Sequence, residues 1–132
     1  SEVKATINSV RAGWPNSRLV MVFQPHRYTR TRDCFEEFIE VLSNVDELIL
    51  LDVYSAGEDP IVGADSKSLC RSIRLRGKVE PVYVSDLSTI PSTIADMVKD
   101  GDILLTQGAG NIVKIAKDLA ACNLDLSGMR GK

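Results

Sequence analysis

The nine residues Gln24-Pro-His-Arg-Tyr-Thr-Arg-Thr-Arg32 hold three arginines and the only histidine of the chain. Arginine presents a planar fork of N–H donors that fits a carboxylate or phosphate in bidentate fashion, and a helix starting near Thr31 would add free backbone N–H groups. The segment therefore reads as an anion site, with Arg27 and Arg30 as its ligands. If both grip one desolvated carboxylate, each charged hydrogen bond contributes about 1.5–3 kcal/mol. The alternative is that the arginines stand in solvent or pair with Asp33, Glu36 and Glu37 in the next turn, where an exposed pair contributes about 0–1 kcal/mol. His26 could shuttle a proton, wall a ligand pocket, or simply be a loop residue held by Pro25. A single histidine without a cysteine or carboxylate cluster makes a poor metal ligand set, so no metal is expected.

Two further segments carry weaker signals. Tyr54-Ser-Ala-Gly-Glu-Asp-Pro-Ile-Val-Gly-Ala-Asp-Ser66 is long for a strand-to-helix loop, which favours a role in function. Within it Glu58 and Asp59 could meet a ligand amine or help hold Mg2+, although adjacent acids in a turn more often face solvent, and Asp65 or Ser66 should cap the next helix. Gly108-Ala-Gly-Asn-Ile-Val113 resembles the opening of a dinucleotide fingerprint but has Val113 where the third glycine should stand. No Gly-x-x-x-x-Gly-Lys-Ser/Thr phosphate loop occurs anywhere. Lys67, Arg71, Arg74, Arg76 and Lys78 are spread along one helix and its exit and read as a solvated face.

The elements that must position these residues follow from apolar periodicity. Val3, Ile7 and Val10 mark a helix over 2–12, with Ser1 available as its cap. The valine-rich run over 18–23 reads as a strand buried on both faces. Thr31 or Thr29 can cap a helix running to Ser43, whose apolar stripe is Phe35, Phe38, Ile39 and Leu42. Strands are then expected over 47–53, 80–84 and 102–107, and helices over 65–75 and 91–99, the last with Pro91 in its first turn. The turn at 108–111 should open a final helix reaching Cys122. Strand and helix alternate with crossovers too long for hairpins, so the fold class is α/β, a three-layer, mostly parallel open sheet with helices on both faces. In such sheets ligands bind at the carboxyl ends of the strands, where helix N-termini converge.

Composition bounds the class. A chain of 132 residues, 44% apolar and 26% charged, suits one globular domain, here 1–122 with a frayed polar tail over 123–132. A net charge of −2 disfavours a general nucleic-acid binder. No apolar run approaches the ~20 residues that cross a bilayer, and no secretory signal opens the chain. Cys34, Cys70 and Cys122 are odd in number and widely spaced, as in a reducing compartment.

Phe23-Gln-Pro-His-Arg-Tyr-Thr-Arg-Thr-Arg-Asp33, Asp52-Val-Tyr-Ser-Ala-Gly-Glu-Asp-Pro-Ile61, Gly63-Ala-Asp-Ser66 and Gln107-Gly-Ala-Gly-Asn111, in this order, closely resemble the Rossmann-like C-terminal domain of the Mur ligases. Within that family they resemble the branch of UDP-N-acetylmuramate:L-alanine ligases. The His-Arg-Tyr-Thr-Arg run favours this branch over the related enzymes that attach recycled murein peptides. The resemblance, over residues 1–121, implies the amino-acid-positioning part of a three-domain, ATP-dependent amide ligase of peptidoglycan synthesis in the bacterial cytoplasm. It implies that the upstream domains bind UDP-N-acetylmuramate, ATP and Mg2+. ATP then activates a carboxylate as an acyl phosphate, which the amine of L-alanine attacks.

Carried onto this sequence, Arg27 and Arg30 would hold the alanine carboxylate with His26 beside them, and Tyr54, Gly57, Glu58, Gly108 and Gly110 could line the cleft. No residue here is implied as a catalytic nucleophile. In the family an Asp-Asp-Tyr-Gly-His-His-Pro segment stands directly before the position of Ser1. Without it and without the upstream domains, the chain by itself is expected to be inactive and to bind no cofactor. The competing reading is a free-standing α/β module that recognises an anion or nucleotide without catalysis.

Overall fold

A computed structural model describes residues 2–108. Helix α1 (Glu2–Gly13) precedes strand β1 (Leu19–Gln24), followed by α2 (Tyr28–Asp33), α3 (Phe35–Leu42), β2 (Glu47–Leu51) and α4 (Ser66–Arg76). Strand β3 (Pro81–Val84), a 3-10 turn (Leu87–Thr89), α5 (Ile90–Met97) and β4 (Ile103–Gly108) complete the described part. The four strands form one sheet in the order β3-β2-β1-β4, and every pairing is parallel. The expected turn at 109–111, the helix to Cys122, the tail over 123–132 and the Ser1 cap lie outside the described residues.

Strand β1 alternates between two cores. Leu19, Met21 and Phe23 join one apolar cluster with residues of α1, α3 and α4, whereas Val20 and Val22 join a second with Ile90 and Ile94 of α5. Helices therefore cover both faces, which is why β1 needs apolar residues at successive positions. Burying the side chain of a residue such as Leu48 or Ile49, both fully buried, contributes about 1.5–3 kcal/mol.

Most element ends shift by a residue from the sequence reading, and three differences are larger. The single helix expected from Thr29 or Thr31 to Ser43 is two helices broken at Cys34, whose φ of −105° and ψ of 14° leave the helical region. Neither threonine caps the first of them: Thr31 is buried, its Oγ1 donating to the Arg27 carbonyl, and the helix starts at Tyr28 after Arg27. Strand β2 stops at Leu51, short of Val53. Helix α5 begins at Ile90 and ends at Met97, with Pro91 in its first turn. Asp65 caps α4 as expected, its carboxylate accepting from the Ser68 N–H at 2.8 Å.

Candidate functional site

From β1 the chain moves outward through β2 to β3, then returns to lay β4 along the other side of β1. The carboxyl ends of β1 and β4 thus flank the point where the strand order reverses, and α/β sheets take their ligands there. A pocket of about 190 Å3 opens at this seam. Phe23 and Gln24 of β1 and Gln107 and Gly108 of β4 contribute to it, Val3 and Phe38 add apolar surface from α1 and α3, and His26, Arg30 and Glu2 supply the ionisable groups. Gly108 has a φ of +135°, and a Cβ there would run into the Gln24 carbonyl oxygen. The two strand ends approach too closely for any side chain at that position.

Beyond β1 the first loop, residues 25–27, is zipped to the second, residues 52–65 between β2 and α4. The Tyr54 N–H donates to the Pro25 carbonyl at 2.9 Å, and the Arg27 N–H donates to the Tyr54 carbonyl at 2.8 Å. His26 and Tyr54 pair as an isolated parallel bridge, and their rings stack with centroids 5.8 Å apart. Arg27 adopts φ 72° and ψ 140°, a region that side-chain-bearing residues rarely occupy. The turn that follows receives its cap from the second loop. Glu58 accepts from the Thr29 N–H at 3.0 Å and from the Thr29 hydroxyl at 2.6 Å. These bonds, the hydroxyl's first, hold the Glu58 carboxyl below its ordinary range, and the Arg27 charge lowers it further.

The two candidate arginines occupy different places. Arg30, one turn into α2, is exposed, lines the pocket and forms no ion pair among the described residues. Arg27 stands outside the lining, half-exposed, with its guanidinium 4.0 Å from the Glu58 carboxylate. His26 and Gly108 line the pocket with Arg30, while Tyr54 and Glu58 back the turn that carries His26 and Arg30. Gly57, at φ 91°, has no neighbouring atom within reach of a Cβ, and Gly110 lies outside the described residues. Sequence reasoning missed Glu2, Val3, Phe23 and Phe38 as pocket residues. Val3 and Phe38 were legible only as core positions, because the seam they border is created by the return of β4.

Residues 1–110 match the protein family described as "Mur ligase, glutamate ligase domain". The chain belongs to the Mur ligase family. Its four-stranded parallel sheet with helices on both faces agrees with that of a Mur ligase C-terminal domain. Membership places the chain among the ATP-dependent ligases of peptidoglycan synthesis, in which this domain takes part in binding the amino acid. Among the described residues of this Mur ligase domain, no three or more His, Cys, Asp or Glu side chains gather in a group that could hold a metal ion. No described helix is long and apolar enough to cross a membrane.

Proposed function

We propose that this Mur ligase domain positions L-alanine in the cytoplasmic enzyme that joins it to UDP-N-acetylmuramate. The observation that carries the reading is Arg30, an arginine without an ion pair among the described residues, in a small pocket at the β1–β4 seam. A volume of about 190 Å3 has room for one small zwitterion. The Arg30 fork would take the carboxylate, and Val3, Phe23 and Phe38 would surround the methyl group and exclude water from the ion pair. His26, its ring held by the Tyr54 stack, would form the adjacent polar wall. Arg27, one turn earlier, would add positive potential and could swing from Glu58 onto the ligand. With the carboxylate anchored, the amine is left free to face the activated acid, so the contribution is positioning rather than bond-making. ATP, bound by the rest of the ligase, supplies the activation of that acid.

Steady-state kinetics of the full-length ligase test this. Arg30→Ala should raise the KM for L-alanine about 10- to 100-fold, the equivalent of one charged hydrogen-bonded contact. The KM values for ATP and UDP-N-acetylmuramate should stay within about twofold. Arg27→Ala should raise the alanine KM less. Unchanged alanine kinetics in both variants would refute the assignment.

A further inference from the structure

The second loop reaches α2 at one group. Glu58 spends both carboxylate oxygens on Thr29, one on its N–H and one on its hydroxyl, and lies 4.0 Å from the Arg27 guanidinium. Helix α2 is a single short stretch whose own start offers no capping side chain, since Arg27 occupies the cap position. An uncapped turn of this length is marginal, because helix ends leave backbone N–H groups unsatisfied and nucleation is costly. Arg27 also holds a disfavoured backbone conformation, which persists only where neighbouring contacts over-determine it. Its N–H is tied to the Tyr54 carbonyl, and Glu58 follows on the same loop. What α2 carries is Arg30, the pocket's arginine.

We propose that Glu58 is a positioning residue that latches the second loop onto the start of α2 and so aims Arg30 into the amino-acid pocket. The inference rests on the reading of that pocket as the alanine site. Glu58 touches no reacting atom; it acts through Thr29 and Arg27. Its carboxylate replaces the Ser, Thr or Asp side chain that would normally stand at the cap, and it supplies a negative charge where the helix end is positive. It also draws the Arg27 head toward the second loop, so that Arg30 is the guanidinium left facing the seam.

The test is a set of variants in the full-length ligase: Glu58→Ala, Glu58→Gln, Thr29→Ala, the Glu58→Ala/Thr29→Ala double variant, and Arg30→Ala as the reference. Glu58→Ala should raise the KM for L-alanine about tenfold, while the KM for ATP and the melting temperature change little. Glu58→Gln, which keeps one oxygen as an acceptor but loses the charge, should recover part of that loss. The double variant should be no worse than Glu58→Ala, because the two residues act as one unit. An alanine KM unaffected by Glu58→Ala, with Arg30→Ala strongly impaired, would overturn the latch and leave the pocket assignment standing. A loss in Glu58→Ala that falls equally on every substrate and tracks a lower melting temperature would also overturn it. If Arg30→Ala itself leaves alanine use intact, the pocket assignment fails first and takes the latch with it.

Discussion

Cys70 is buried on α4, and desolvation pushes its thiol up to about 11, the charge of Arg74 offsetting only part of the effect. A thiol reacts as its thiolate, so Cys70 should resist alkylation in the native chain at pH 8, whereas half-buried Cys34 should be labelled before it. Peptide mass spectrometry after brief iodoacetamide treatment reads this directly, and early labelling of Cys70 would contradict it. At the same scale, the choice of partner for Arg27 shows where sequence reading stops. Asp33, Glu36 and Glu37 were the neighbours in view, yet the nearest carboxylate comes from Glu58 on the other loop. Residue types marked an arginine-rich loop; which acid meets which arginine is decided by how β1 and β2 align, and that is a tertiary fact.

Among the elements, the strands were legible because burial on both faces demands unbroken apolar runs, and their parallel order followed from crossover length. The helix over the first crossover was misread because its apolar stripe continues through Cys34 and conceals the break. The 28–33 turn follows the sharp corner at Arg27, while α3 packs Phe38, Ile39 and Leu42 into the core, and one straight helix does not serve both. Gly108 belongs to this scale because it decides how closely two strand ends approach. Gly108→Ala should destabilise the chain by about 1–3 kcal/mol, since the new Cβ meets the Gln24 backbone and the positive φ penalises any side chain. A melting temperature equal to the parent's would show that the β1–β4 seam is looser than described.

For the whole molecule, the two ends of the sheet divide the labour. At the amino end Arg18 grips Asp102 through two nitrogens at 3.1 and 2.8 Å, meets Glu47 at 3.0 Å and donates to the Met97 carbonyl at 3.0 Å. One guanidinium therefore ties the starts of β1, β2 and β4 to the end of α5. Burial alone would raise the Asp102 carboxyl, but the hydrogen bonds from Arg18 and the Lys99 N–H outweigh it and hold the pKa below its ordinary value. A depressed carboxylate contributes its stability above the ordinary carboxylate range and loses it as pH falls through the lowered value. Arg18→Ala should cost about 2–4 kcal/mol at neutral pH, because it strands a nearly buried carboxylate. The same change should flatten the loss of stability on acidification, read by denaturant titration at several pH values. The alanine KM should not move, since the pocket lies at the far end of the strands; a large change in it would mean that the two ends are coupled.

The seam between β1 and β4 also sets an order of assembly. Val3, Phe23, His26, Arg30 and Phe38 all emerge early from the ribosome, but Gln107 and Gly108 arrive only after the rest of the described sheet has been made. A nascent chain can pair β1 with β2 and β2 with β3 and still lack the pocket, because one bank of the crevice has not yet been synthesised. On the proposed reading of the seam as the amino-acid site, recognition is thus a late event of biosynthesis, because the pocket is complete only once the last described strand has found its place.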